Sequence, residues 1–270
     1  MARLLIFGPG YTASRIATAV DQNGWVVRYI GRSNFEEADA EIAAATHILS
    51  SIPPATDTDP VLLRYADALS ATKAWLGYLS STGVYGDTGG AWVDEAAPTG
   101  LGRRSARATA DASWLRLGAH VFRLPGIYGP GRSPLERVAA GRAHRVHCPG
   151  QLFSRIHVDD IVTAVLAAFN APPGAYNIAD DLPAPQNAVM TEAARLIGVP
   201  LPPIVPLDTL SPAARAFYAE NRRVANGKAK RVLRWLPEYP TYREGLRALR
   251  ASSNPPSDSA PPSTASTDQT

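Results

Sequence analysis

Short apolar runs, each followed by a glycine or polar turn and then by a segment of helical spacing, recur from the N-terminus, which is the pattern of βα units in a parallel sheet. It predicts strands at residues 3–7, 25–30, 47–52, 75–80 and 120–124, with helices at 11–22, 59–73 and 103–117 between them. Gly24 stands where a helix C-terminal glycine belongs, and Pro60 follows Asp59 as a first-turn proline follows its N-cap. Beyond residue 130 prolines cluster and the pattern loosens into short helices at 135–143, 186–197, 211–219, 228–234 and 242–250. Strand-like stretches at 154–158 and 175–179 flank a helix in which Asp159 and Asp160 read as N-caps.

The expected fold class is therefore α/β: a doubly wound parallel sheet of Rossmann type with a smaller, mainly helical C-terminal lobe. Residues 1–133 form the dinucleotide-binding core, to which 154–180 return, and 134–153 with 181–250 form the substrate-side lobe. Residues 251–270 carry Ser, Thr or Pro at 13 of 20 positions and no large apolar side chain, so they cannot offset the entropy of ordering and are expected to be a disordered tail.

Composition narrows the class. At 270 residues and 45% hydrophobic content the chain can bury a substantial core. A net charge of +3, with no basic run, gives no footing for nucleic acid. Cys148 is the single cysteine, so no intramolecular disulfide forms and a reducing compartment is the expectation. The apolar start at residues 4–7 is too short for a signal core or a membrane span. The expectation is a cytoplasmic monomer or homodimer that binds a small-molecule substrate and neither nucleic acid nor membrane. His144-x-x-His147-Cys148 lacks further ligands for a closed metal site, and no metal is expected.

Gly8-Pro9-Gly10-Tyr11-Thr12-Ala13 follows the first strand and opens the first helix, the setting in which a glycine pattern signals a dinucleotide. Gly8 permits the tight turn, Gly10 lets a pyrophosphate approach the backbone, and Ala13 is small enough for close helix packing. Tyr11, Thr12 and Ala13 then bring the N–H groups and partial positive charge of a helix N-terminus to the phosphates. Where the second strand ends, a carboxylate suits a ribose 2′-hydroxyl and an arginine suits a 2′-phosphate. The chain has Arg32-Ser33 there, with no acid before Glu36, so NADP is expected in preference to NAD.

Three later stretches, Leu79-Ser80-Ser81-Thr82-Gly83-Val84-Tyr85-Gly86, Arg123-Leu124-Pro125-Gly126-Ile127-Tyr128-Gly129-Pro130-Gly131 and Arg155-Ile156-His157-Val158-Asp159-Asp160, follow the fingerprint in order. Together they resemble the extended short-chain dehydrogenase/reductase superfamily, the NAD(P)-dependent epimerase/dehydratase group, over residues 3 to 250. The resemblance implies that Ser81 is the catalytic hydroxyl that hydrogen-bonds the reacting oxygen, and that Ser80 and Pro125 lie along the cofactor. It also implies a Tyr-x-x-x-Lys pair, yet none of the ten tyrosines is followed four residues later by lysine. Aligning Ala110-Asp111 with the family pattern puts Arg107 at the lysine position and Arg103 at the tyrosine position, a replacement that resembles the atypical branch of the superfamily.

Arg107 can still donate to ribose hydroxyls, whereas a guanidinium at 103 cannot shuttle a proton. Ser81 and Arg103 are left to stabilise an oxyanion or bind an anionic group, with water or Tyr85 supplying the proton. His157 reads as a packed histidine, and Asp94-Glu95 as a loop that could approach Arg103. Two functions follow: an NAD(P)-dependent oxidoreductase or epimerase/dehydratase-like enzyme with a modified site, acting on a small carbonyl or sugar-like substrate, or a non-catalytic NADP-binding sensor.

Overall fold

Six of the chain's apolar runs pair in one parallel sheet. In the computed structural model, which describes residues 1–55, 58–103 and 105–253, β1 (Arg3–Phe7) lies between β2 (Val26–Ile30) and β3 (His47–Ser50). β4 (Trp75–Ser81), β6 (His120–Leu124) and β10 (Gly174–Asn177) extend the sheet in the order β10-β6-β4-β3-β1-β2, and the two-residue β5 (Trp92–Val93) stands outside it. Leu4, Leu5, Ile6 and Phe7 are all fully buried, because β1 is covered on both faces and has no solvent side on which to place a polar residue. Strand order reverses between β1 and β3, so a crevice opens beyond their carboxyl ends, the place where such sheets bind ligands.

Helices cover both faces. On one, α1 (Tyr11–Asp21) buries Ala13, Ile16, Ala17 and Val20 at helical spacing beside α6 (Val158–Ala167). On the other, α3 (Pro60–Ala71) and α4 (Ser105–Arg116) bury Tyr65, Leu69 and Trp114; α2 (Asp39–Ala44) adds Ile42. Asp59 caps α3 through the Val61 and Leu62 N–H groups and accepts the Trp114 indole at 3.0 Å, which ties α3 to α4. α4 begins at Ser105, so Arg103, expected within this helix, lies in the loop before it. β3 stops at Ser50 because Ser51 turns its hydroxyl to the Gly8 carbonyl.

The second half supplies β7 (Gly126–Tyr128) and β9 (Arg155–His157), which pair in parallel. α5 (Pro134–Ala139), α7 (Gln186–Ile197) and α10 (Tyr242–Ser253) enclose a separate core of Val138, Val189, Met190 and Leu246. The lobe is completed by β8 (Arg145–Val146) with β11 (Ile204–Val205), and by α8 (Pro212–Tyr218), while β12 (Arg223–Val224) pairs with β5.

Three further expectations need correction. Residues 227–235 belong to the sheet layer, since Ala229 of α9 (Gly227–Val232), Leu233 and Trp235 join the core under α6. His157, not either aspartate, caps α6, accepting the Asp159 N–H. Asp160 is instead buried and accepts the Glu238 and Tyr239 N–H groups at 2.6 and 3.2 Å, fastening a distant loop to α6. Residues 251–253 continue α10, because Gly245, Leu246 and Leu249 give that helix a buried stripe; residues 254–270 of the expected tail lie outside the described residues. No helix among the described residues is long and apolar enough to cross a membrane.

Candidate active site

The glycine turn leaves β1 with Gly8 at φ +80°, and a Cβ there would stand 2.7 Å from Ile52 Cγ1. Gly10 caps α1 without a side-chain acceptor; among the described residues, the N–H groups of Tyr11, Thr12 and Ala13 meet no acceptor. Free donors at the first turn of a helix are the arrangement that suits a phosphate. Gly8→Ala is expected to cost about 1–3 kcal/mol of stability from the left-handed backbone alone, measured by urea unfolding; a variant as stable as the parent would show that the turn relaxes freely.

The Tyr11 side chain has a structural task besides. Its hydroxyl donates to the Pro130 carbonyl at 2.9 Å and its ring lies under Arg132, so it clasps α1 to the start of the second lobe. Arg32 and Ser33 open a 3₁₀ turn after β2 and are both exposed; Arg32 makes no ion pair among the described residues. That leaves its guanidinium available at the strand end where a ribose substituent would be read.

Beyond the sheet's carboxyl edge lies a small cleft of about 160 Å³. Ser81, Arg103 and Pro125 all line it, so three residues chosen from separate sequence stretches meet in one cavity. Ser81 Oγ accepts the Gly83 N–H at 3.1 Å, which holds the side chain and leaves its own hydrogen to donate. Arg103 reaches the cleft from a loop made possible by Gly86 and Gly102, whose backbones touch: a Cβ on Gly102 would lie 2.5 Å from the Gly86 Cα.

Two cleft residues have no counterpart in the sequence reading. Glu220, 9% exposed, accepts the Arg103 backbone N–H at 3.2 Å and faces Arg103 Nε at 3.5 Å. Its other oxygen accepts Arg222 Nη1 at 3.0 Å, and Arg222 also donates to the Gly86 carbonyl at 2.6 Å. Glu220 therefore fixes both arginines while cancelling only one of their charges, which leaves the cleft net positive. No spacing or motif signals this, because the carboxylate comes from the far lobe, 117 residues from Arg103.

The remaining predicted residues sit behind the cleft. Ser80 is buried and donates to Asp111 Oδ2 at 2.6 Å. Asp111 also takes Arg123 Nε at 3.1 Å and Nη2 at 2.8 Å, and Arg123 Nη1 reaches the Tyr85 hydroxyl at 3.0 Å. Tyr85 in turn donates to Asn177 at 2.7 Å, and burial pushes its phenol up to about 12 despite Arg123 beside it. Ser80 and Tyr85 are thus engaged in an internal network, and neither lines the cleft. Arg107 is half-buried, with Nη1 on the Tyr78 hydroxyl at 2.8 Å and the Leu79 carbonyl at 3.4 Å, which ties α4 to β4. Glu95 accepts the Asn177 N–H at 2.7 Å near Arg123 and not beside Arg103.

No family model matches the chain. Among solved structures, a functionally unknown conserved protein from Silicibacter pomeroyi DSS is 42% identical, covering 93% of this chain and 99% of that one with a TM-score of 0.84. MoeE5, solved with UDP-glucuronic acid and NAD, shares the fold at a TM-score of 0.76 and 19% identity, over 93% and 99% of the two chains. A curated relative, the 3-diazoavenalumate denitrifying reductase of a Streptomyces species, is 32% identical over 138 residues, 47% of this chain and 45% of that one. The chain spans about half the length of the curated relatives it matches.

Proposed function

Because the chain belongs to the family of the Silicibacter pomeroyi protein and has the fold of the extended short-chain dehydrogenase/reductases, we propose that it is an NAD(P)-dependent oxidoreductase or epimerase/dehydratase-like enzyme with a modified active site, acting on a small carbonyl compound. The observation that carries this reading is the meeting of Ser81 and Arg103 in one cleft beyond the sheet edge, with Pro125 beside them. A structural neighbour solved with NAD and a curated relative named as a reductase support it.

Gly8, Gly10 and the first-turn N–H groups of α1 would hold the dinucleotide pyrophosphate, and Arg107 the nicotinamide ribose through Nε or Nη2, since its described hydrogen bonds use Nη1 alone. When bound, the dinucleotide supplies or accepts hydride. Ser81 donates its hydroxyl hydrogen to the substrate oxygen. Arg103, oriented by Glu220, stabilises the charge that develops there, which removes the need for a titrating tyrosine. The proton comes from solvent through the open mouth of the cleft.

Arg32 and Ser33 give the site a preference for NADP. A charge-assisted hydrogen bond contributes about 1.5–3 kcal/mol, so Arg32→Glu is expected to weaken NADPH binding roughly ten- to a hundredfold while sparing NADH. Fluorescence titration with both dinucleotides checks this, and equal affinity of the parent for the two would remove Arg32 from the cofactor site.

The missing Tyr-x-x-x-Lys pair and the sequestered Tyr85 favour a second reading, an NADP-binding sensor without turnover. Incubating the protein with NADPH and a panel of aldehydes, ketones and nucleotide sugars separates the two. NADPH consumption on any member supports the enzyme; tight NADPH binding with none on the whole panel supports the sensor.

A further inference from the structure

Phe153, Ser154, Gly126 and Phe217 line both the Ser81 cleft and a second compartment, of about 340 Å³, on the lobe side. Its walls hold Arg132, Arg137, Arg155 and His144 and, among seventeen lining residues, no aspartate or glutamate. The carboxylate nearest in sequence, Glu136, is spent on the Gly131 and Ser133 N–H groups as part of the α5 cap. Arg132 and Arg137 are exposed, while Arg155 is 6% exposed.

Arg155 is the telling member. Its Nη1 donates to the Phe153 and Ala184 carbonyls at 2.7 and 2.9 Å, and Nη2 gives one hydrogen to Gln186 at 2.9 Å. All these partners are neutral, so a nearly buried guanidinium has no hydrogen-bonded carboxylate among the described residues. A buried charge without a counter-ion costs several kcal/mol. Asp180, the carboxylate close enough to act on it, is buried with one oxygen lacking a partner, and burial raises its carboxyl to about 8 despite Arg155. Burial likewise lowers the Arg155 guanidinium to about 10. Both shifts show how costly charge is at this depth, and leave the two groups incompletely neutralised by each other.

The dividing wall is aromatic. Phe153 and Phe217 stack with centroids 4.7 Å apart and planes 10° from parallel, Tyr218 meets Phe153 edge-on, and Phe217 remains 45% exposed. An exposed ring face between a polar reaction cleft and a cationic compartment suits a flat apolar body whose two ends differ in charge.

We propose that the second compartment is an anion subsite, and that the substrate is a small aromatic carboxylic acid whose ring lies on Phe217 and whose carboxylate enters between Arg137 and Arg155. This deepens the carbonyl-reducing function above and rests on it for the reacting end of the molecule.

Isothermal titration of the full chain, saturated with NADPH, with cinnamate, neutral cinnamamide and UDP-glucose tests it. Cinnamate is expected to bind at least tenfold tighter than the amide. Arg137→Gln, an exposed position that should leave folding intact, is expected to weaken cinnamate about tenfold without moving the amide, as loss of one charge-assisted contact implies. Arg155→Met should weaken it further if that variant folds. Equal binding of acid and amide, indifference to Arg137→Gln, or tight UDP-glucose binding with no cinnamate overturns the subsite. Failure of NADPH to bind in the same samples, with acid and amide still distinguished, overturns the oxidoreductase reading alone.

Discussion

Asp111→Ala is expected to destabilise the protein by about 3–5 kcal/mol, because it strands the Arg123 guanidinium in the interior. Asp111 and Arg123 are 1% and 3% exposed, and the carboxylate satisfies two guanidinium nitrogens together with the Ser80 hydroxyl. Burial works to lower the Arg123 pKa, but the hydrogen bonds and charge of Asp111 outweigh it and leave it raised. Removing the carboxylate reverses that balance. For a domain of this size the loss corresponds to a fall in Tm of roughly 6–20 °C. Asp111→Asn keeps the shape and some hydrogen bonds, so it should fall between parent and alanine variant. Urea unfolding and calorimetry on all three decide it, and a loss below about 1 kcal/mol for alanine would mean that water enters and solvates Arg123.

Ser81→Ala is expected to lower kcat by about 10²–10³ with little change in NADPH affinity, the effect of removing one donor aimed at developing charge. The geometry is specific on this point. Because Ser81 Oγ already accepts the Gly83 N–H, its hydrogen is the group left for a substrate oxygen. Stopped-flow NADPH oxidation with a substrate found in the carbonyl panel gives kcat, and fluorescence titration gives affinity. An unchanged kcat would take Ser81 out of the reaction; a parallel loss of NADPH binding would mean that the substitution disturbs the cofactor turn.

The sheet was legible because its strands are buried on both faces and punctuated by glycine and proline: Leu4 to Phe7 stops at Gly8, and Asp59-Pro60 opens α3. Boundaries shifted where side chains intervened, as at Ser51 and in the loop that carries Arg103. The site was half legible. Ser81 and Pro125 follow from motifs at the ends of β4 and β6, but Ser80 and Ser81 are adjacent in a strand and must point to opposite faces, so only one can meet the cleft. Tyr85 lies within a recognisable motif, yet its direction is set by Arg123 and Asn177, 38 and 92 residues away. Glu220 and Arg222 carry no local signature, since their role exists only once the far lobe folds back onto the sheet edge.

The contact between Gly86 and Gly102 works as a hard stop between the loop that follows Ser81 and the loop that precedes Arg103. The gap between those loops is gauged by backbone atoms, which have no rotamers to adjust. A side chain at position 102 would force the two loops that line the cleft apart. The exposed Phe217 on the cleft wall has space to vary, whereas a Cβ at position 102 would meet the Gly86 backbone.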